Sequence, residues 1–335
     1  MSVSVPSPLL EALRAARRPL LVGHVTPDAD CLTSVYGLGA GLAACCGATP
    51  IVALPADAVA DRLKFLHAWA NGLPTTPGDV DHADAVIVLD TAKLPRANVE
   101  GGGETLRREG RPIINIDHHE TNPNFGDVNW VVADASSAAE LVYHILCALD
   151  VEFTPEIASL LYTGIYADTA GFSLPNCSGD AMAAAADLVH RGARVAEIGE
   201  RLQRSRRQAD FDLLRIVYAN THLTADGRIA YSTVSHDELI GAGCRAADID
   251  DQVEVPRSLE GIDIAILFTE GVKGKIRINF RGEGDTTILD LARQFGGGGH
   301  LHAAGAIIPG PVDEVARQVV ERAARQLDGQ ADRIR

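Results

Sequence analysis

The chain has 335 residues, 46% hydrophobic and 22% charged, the balance of a folded protein with one large domain or two ordinary ones and a sizeable core. Its formal charge is −15, from 30 Lys and Arg against 45 Asp and Glu. That excludes a protein that coats long duplex nucleic acid through a basic surface, and leaves room for a small phosphorylated ligand in a local pocket. The apolar runs are too short or too interrupted to predict a membrane span, and the six cysteines (Cys31, Cys45, Cys46, Cys147, Cys177, Cys244) form no CxxC pair, which argues against a disulfide framework or a structural zinc site.

The N-terminal stretch "MSVSVPSPLLEALRAARRPLL" has no signal-peptide core and reads as a short amphipathic helix, so the expected location is cytoplasmic. "PLLVGH" (19–24) reads as a buried strand, and "CLTSVYGLGAGLAACCG" (31–47) as a helix of small residues. Further strands are predicted at 49–54, 84–90 and 111–117, with a helix at 60–70 between them. Strand–helix alternation with continuously apolar strands implies a parallel α/β sheet, whose ligands bind beyond the carboxyl ends of the strands. Residues 136–149, 154–169 and 179–192 read as helices, the second with Thr154 as N-cap and Pro155 at its first position. Residues 193–220 are charged and helix-prone.

The second half changes character. Strands are predicted at 227–235, 262–270 and 274–282, the last two as a hairpin through "GVKG". A helix at 286–295, the run "GGGGH" (296–300), a strand at 303–310 and a helix at 311–327 close the chain. The predicted architecture is therefore an N-terminal parallel-sheet α/β domain with flanking helices (1–192), a helical linker (193–222) and a smaller C-terminal α+β domain (223–330).

Four segments end or interrupt apolar runs with metal-type ligands. They carry His24, Asp28 and Asp30 in "GHVTPDAD", Asp90 after "DAVIVL", Asp117, His118 and His119 in "IDHHETN", and Asp168 in "TGIYADTAGF". Singly, an aspartate after a strand is a turn former or helix cap, and a histidine there is a hydrogen-bonded structural residue. Together, the three strand-end clusters would meet at one edge of a parallel sheet. Carboxylate and imidazole donors suit Mn²⁺, Mg²⁺, Fe²⁺ or Zn²⁺, and no cysteine lies inside the four segments. Four crowded carboxylates repel without cations. Two metal ions roughly 3.5–4 Å apart, sharing one carboxylate, would resolve that repulsion and form a hydrolytic centre.

These four segments, in this order, resemble the four motifs of the DHH phosphoesterase superfamily. "GKIRINFRG" and "GGGGHLHAAGA" resemble its DHHA1 substrate domain. "DHHETNPNFGDVNWVVADASSAAE" and "VPRSLEGIDIAILF" look like the nano-RNase (oligoribonuclease)/pAp-phosphatase, or NrnA-like, branch, and the resemblance runs from about residue 10 to 325. It implies that His24, Asp28 and Asp90 hold one metal, and that Asp30, Asp90, His118 and Asp168 hold a second, with Asp90 bridging. It implies that Asp117 orients a histidine and that His119 contacts the scissile phosphate or the leaving oxygen. In the second domain it implies phosphate binding by Arg281, with Arg277 and Asn279 beside it, and by Gly297, Gly298, Gly299 and His300. The active site would then lie in a cleft between the domains, with a hinge near 190–225. His67, His144, His190, His222, His236 and His302 are expected to be packing or surface residues.

The implied activity is two-metal hydrolysis, Mn²⁺ foremost, of short 5′-phosphorylated oligonucleotides to mononucleotides, with pAp (3′-phosphoadenosine 5′-phosphate) to AMP as a second reaction. Cyclic- or linear-dinucleotide hydrolysis is the enzymatic alternative, and a non-catalytic nucleotide sensor the alternative of another class. The intact ligand set speaks against the sensor. No membrane partner is expected, and a homodimer is compatible with the sequence. Four features depart from the usual pattern: Ala29 for glycine, "CLTS" for "AIGS", Ser173 for arginine and Gly282 for serine.

Overall fold

The computed structural model describes residues 4–54, 59–70, 73 and 82–334, and the chain divides into two compact units, Met1–Ser205 and Arg206–Arg335. In the first unit, helix α1 (Ser7–Ala15) buries Leu9 and Leu13. Strands β1 (Pro19–Val22), β2 (Ile51–Ala53), β3 (Ala85–Leu89), β4 (Ile113–Asp117) and β5 (Val128–Val131) form one sheet in the order β2-β1-β3-β4-β5, every neighbouring pair parallel. Every residue of β1 to β4 is buried, which explains why their sequences are continuous apolar runs rather than alternations.

Helix α2 (Ala29–Cys46) is buried from Ala29 through Leu42. It is long and apolar enough to cross a membrane, beyond what the sequence reading allowed, but its burial marks it as a core helix. Helices α3 (Ala138–Ala148), α4 (Pro155–Asp168) and α5 (Gly179–His190) follow, with the short α6 (Val195–Gly199) and a π-helical turn at Glu200–Arg204. Asp28, Ser137, Thr154 and Ser178 cap α2 to α5, each side chain accepting a backbone N–H three residues on. Such a cap stabilises a helix by ~1 kcal/mol.

In the first unit, one helix and one strand differ from expectation. The helix predicted at 60–70 is a 3₁₀ helix, Asp61–Trp69; its buried residues Leu63, Leu66 and Trp69 recur every third position, which matches three residues per turn. Strand β5 was not predicted from pattern. It pairs on one side, with β4, and three of its four residues are only partly buried, so it carries no strong periodicity.

In the second unit, β6 (Thr221–Leu223), β7 (Ile229–Val234), β8 (Ile264–Val272), β9 (Lys275–Gly282), β10 (Gly298–Gly299) and β11 (Ala303–Pro309) form a sheet in the order β10-β11-β9-β8-β7-β6, antiparallel except for the β7–β8 pair. The predicted hairpin is present, with Val272 opposite Lys275 and Gly274 at φ +73° in its turn. One face of the sheet packs Ile264, Ile266, Phe268, Ile276, Ile278 and Phe280 against Val315, Val319 and Ala323 of the long helix α11 (Val312–Ile334). Of helices α7 (Gln208–Ala219), α8 (His236–Gly241), α9 (Glu254–Arg257) and α10 (Leu289–Gln294), α7 packs Leu213 and Val217 with Val234 and Leu239. The stretch 193–222 is thus divided: α6 belongs to the first unit, and α7 and β6 to the second.

Candidate metal centre

Strands β1, β3 and β4 are neighbours, and the chain leaves their carboxyl ends through Gly23-His24, Asp90 and Asp117-His118-His119. The backbone at His24 is pinned by a bridge to Ala97 and by the Val25 N–H donating to Arg96 O at 2.9 Å. Asp90 continues the ladder, its N–H donating to Ile116 O at 3.1 Å, but at φ +48°. A left-handed aspartate at a strand end is a strained position of the kind that persists at functional sites. Asp28 and Asp30 come from the start of α2, and Asp168 is the last residue of α4. Gly164 lets α4 approach that closely: a Cβ there would lie 2.5 Å from Ala139 Cβ and 2.9 Å from Asp30 Oδ1.

All six predicted metal ligands come together. His24 Nε2 lies 3.4 Å from Asp90 Oδ2 and 3.9 Å from Asp28 Oδ2. His118 Nε2 lies 3.4 Å from Asp90 Oδ1, 3.7 Å from Asp168 Oδ2 and 3.8 Å from Asp30 Oδ2. Asp90 therefore turns one oxygen to each set. His118 Nδ1 is 3.3 Å from Ala135 O; donation there leaves Nε2 as the ligand atom. Asp30 is held by the N-terminus of α3: the N–H groups of Ala138 and Ala139 donate to Oδ2 at 2.8 Å and to Oδ1 at 2.9 Å, and Ser34 Oγ donates to Oδ1 at 3.3 Å.

Electrostatics follow from this crowding. Burial pushes the Asp30 carboxyl well above its usual range, with Asp90 and Asp168 adding to the effect. Burial likewise takes Asp168 up to about 6, reinforced by Asp28 and Asp90. Burial acts the same way on Asp90, but hydrogen bonding to His118 and His24 overrides it and holds this carboxyl well below its usual value. For His118, burial disfavours charge and the facing Asp90, Asp168 and Asp30 outweigh it, raising its pKa. Four carboxylates facing two imidazoles match the donor set of a pair of divalent cations. The His24 Nδ1 atom is buried without a hydrogen-bond partner, while its Nε2 faces Asp90 and Asp28.

Asp117 stands apart from the candidate ligands. It is fully buried and accepts from His118 N at 2.9 Å, His119 Nδ1 at 2.8 Å and Asn122 Nδ2 at 2.6 Å. With Nδ1 donating to Asp117, the chemistry of His119 is left to Nε2. Sequence reasoning missed the support behind this. Asn122 also exchanges hydrogen bonds with Asn115 (3.0 and 3.2 Å) and accepts from Asn124 N at 2.9 Å, and Asn115 donates to Asn129 at 3.0 Å. Asn115 and Asn129 are opposite each other on β4 and β5. An asparagine inside the apolar run "RPIINID" was the available signal. The cap that holds Asp30 was also legible: Ser137 and Glu140 stand at capping-box spacing.

Cys31, just outside the first motif, is fully buried, and its Sγ belongs with His24 and Asp90 to one group of ligand atoms lying within 4.8 Å of one another. Burial pushes its thiol up to about 11.

In the second unit, Arg277, Asn279 and Arg281 alternate along β9 with the core residues Ile276, Ile278 and Phe280, so they share the opposite face. Arg281 Nη1 donates to Phe280 O at 3.0 Å, and its Nε is 3.7 Å from Glu254 Oε1. The glycine run is structured rather than a linker: Gly298 and Gly299 pair with Gly305 and Ala304. Gly297 N–H donates to Ala292 O at 2.9 Å and His300 N–H to Ala303 O at 2.7 Å, so those two groups are engaged within the protein and the expected anion nest is narrower than the sequence suggested. Gly282 replaces the frequent serine for a steric reason: a Cβ would lie 2.1 Å from Thr286 O. Ser173 is exposed, its hydroxyl donating to Ala170 O at 2.7 Å.

The model of the DHH family N-terminal domain matches residues 19–165, and that of the DHHA1 domain matches 226–329. The chain is 31% identical to the bifunctional oligoribonuclease and PAP phosphatase NrnA of Thermus thermophilus, over 95% of this chain and 93% of that protein. It is 28% identical to the NrnA of Bacillus subtilis, over 86% and 88%. An exopolyphosphatase-related protein from Bacteroides fragilis shares the fold, with a TM-score of 0.83 over 97% of this chain and 98% of that one at 23% identity. The chain belongs to the DHH–DHHA1 family of metal-dependent phosphoesterases.

Proposed function

We propose that this protein releases mononucleotides from 5′-phosphorylated di- to pentanucleotides and removes the 3′-phosphate of pAp, using two divalent cations, Mn²⁺ foremost. One observation carries the reading: Asp90 offers Oδ2 to His24 and Oδ1 to His118, each at 3.4 Å, as a carboxylate shared between two ligand sets would. The names of the Thermus and Bacillus relatives support the substrate class.

His24, Asp28 and Asp90 would hold one cation, and Asp30, Asp90, His118 and Asp168 the other. The pair would supply water activation and charge stabilisation at phosphorus. Asp117 fixes the tautomer of His119, whose Nε2 would contact a scissile-phosphate oxygen or give its proton to the leaving oxygen. Asn122 keeps Asp117 in place. Arg281, Arg277 and Asn279, with the His300 imidazole and the backbone at Gly298 and Gly299, would bind the substrate's other phosphate, the two arginines through planar, charge-assisted hydrogen bonds. The six free cysteines fit a reducing, cytoplasmic setting.

A parallel time course with Mn²⁺ on a 5′-phosphorylated dinucleotide, a long single strand, pAp and a cyclic dinucleotide tests the proposal. Fast loss of the dinucleotide and pAp, slow loss of the long strand and an inert Asp90→Ala control support it. Preferential cleavage of the cyclic dinucleotide, or binding without turnover, overturns it.

A further inference from the structure

We propose that Cys31 is a further donor to the first metal position, making the centre mixed: a thiophilic ion on His24, Asp28, Cys31 and Asp90, and a harder ion on Asp30, Asp90, His118 and Asp168. The inference rests on the two-cation reading above and goes beyond it by assigning a ligand and an ion class. Its basis is position. The ligand atoms of His24, Cys31 and Asp90 are mutually within 4.8 Å, so small side-chain shifts would bring all three onto one ion with bonds of about 2.0–2.3 Å. Cys31 is fully buried, and its Sγ rests against Gly23, where a Cβ would lie only 2.1 Å away. Glycine directly before His24 thus makes the space that the thiol fills. The backbone of Cys31 is fixed as well, its N–H donating to Asp28 Oδ1 at 3.0 Å, so a ligand of the same position anchors it. Among the described residues, no other cysteine falls in such a group of ligands.

The chemistry involves no redox change. The ion replaces the proton on sulfur, a metal–sulfur bond forms as the S–H bond breaks, and the proton leaves to solvent. A thiolate favours Co²⁺, Zn²⁺ and Cd²⁺ over Mg²⁺ and Mn²⁺, whereas the second set, three carboxylates and one imidazole, retains the harder preference.

The test is absorption spectroscopy of the full chain loaded with Co²⁺. Cys45 and Cys46 are exposed or half-exposed with sulfurs 3.0 Å apart, and could bind cobalt themselves, so the background carries Cys45→Ala and Cys46→Ala. The proposal predicts a near-ultraviolet sulfur-to-cobalt charge-transfer band. Cys31→Ala and Cys31→Ser should abolish it while the visible cobalt bands remain. In competition, the same variants should lower the preference for Cd²⁺ over Mn²⁺ at one of the two positions by about tenfold or more. Visible cobalt bands with no charge-transfer band, or a band that persists in Cys31→Ala, overturn the role of Cys31 and leave the two-cation reading standing. Absence of bound cobalt altogether overturns both.

Discussion

Asn122→Ala separates support of the site from its ligands. The hydrogen bonds of Asn122, to Asp117, Asn115, Thr91 and Asn124, involve none of the proposed metal ligands; it donates to Asp117 at 2.6 Å, and Asp117 in turn holds His119 at 2.8 Å. The substitution removes one hydrogen bond to a buried carboxylate, worth ~1.5–3 kcal/mol. It also breaks the exchange with Asn115, which keeps its bond to Asn129 and so loses only part of its pairing. A stability loss of ~2–3 kcal/mol is expected, read from the urea midpoint at unchanged m-value. With Asp117 less firmly placed, His119 loses orientation, and kcat should fall by about 10–100-fold with little change in KM. Asp117→Asn should be as damaging. Its amide oxygen can still accept from His119, but its new NH₂ would meet the Asn122 amide, whose own oxygen is engaged by Asn115 and Asn124. Native kcat in Asn122→Ala, with the expected loss of stability, would refute the chain of orientation from Asn122 through Asp117 to His119.

Asp90→Ala should remove the shared carboxylate and lower bound Mn²⁺ from about two ions per chain to one or none, by elemental analysis after gel filtration. Arg281→Ala should raise KM for phosphate-ended substrates by about 10–100-fold, the equivalent of one charge-assisted hydrogen bond, and leave substrates without that phosphate unaffected. Glu140 gives a pH dependence. Burial would raise its carboxyl, but His144 and Ser136 hold it below the usual 4.5. Its contribution is therefore present above pH 4.5 and lost as pH falls through the depressed folded value, so acid unfolding of Glu140→Gln should be shallower than that of the parent in that window.

The candidate metal set could be picked out because its residues are chemically conspicuous where they stand. His24, Asp90 and Asp117 each interrupt an apolar run at a strand end, and parallel topology brings such ends together. Asn122 and Asn129 were not legible: outside an apolar run, asparagine is an ordinary turn residue, and only the register of β4 with β5 aligns Asn115 with Asn129. Cys31 was read from the sequence as a buried thiol because it lies one position past the motif, on a largely apolar helix. The arginines of β9 were named from resemblance, and alternation with Ile276, Ile278 and Phe280 explains why they share a face. The glycine run reads as a loop from composition, yet its pairing with β11 makes it an edge of the sheet.

The central claim is that Asp90 is shared by two cations. The most direct measurement is anomalous diffraction at the manganese edge from crystals grown with Mn²⁺. The account predicts two peaks about 3.5–4 Å apart, one among His24, Asp28 and Asp90 and the other among Asp30, Asp90, His118 and Asp168. If a thiophilic ion keeps the first position, that peak appears at the edge of its own metal instead. A single ion in the centre, or two ions with Asp90 contacting only one of them, would contradict it.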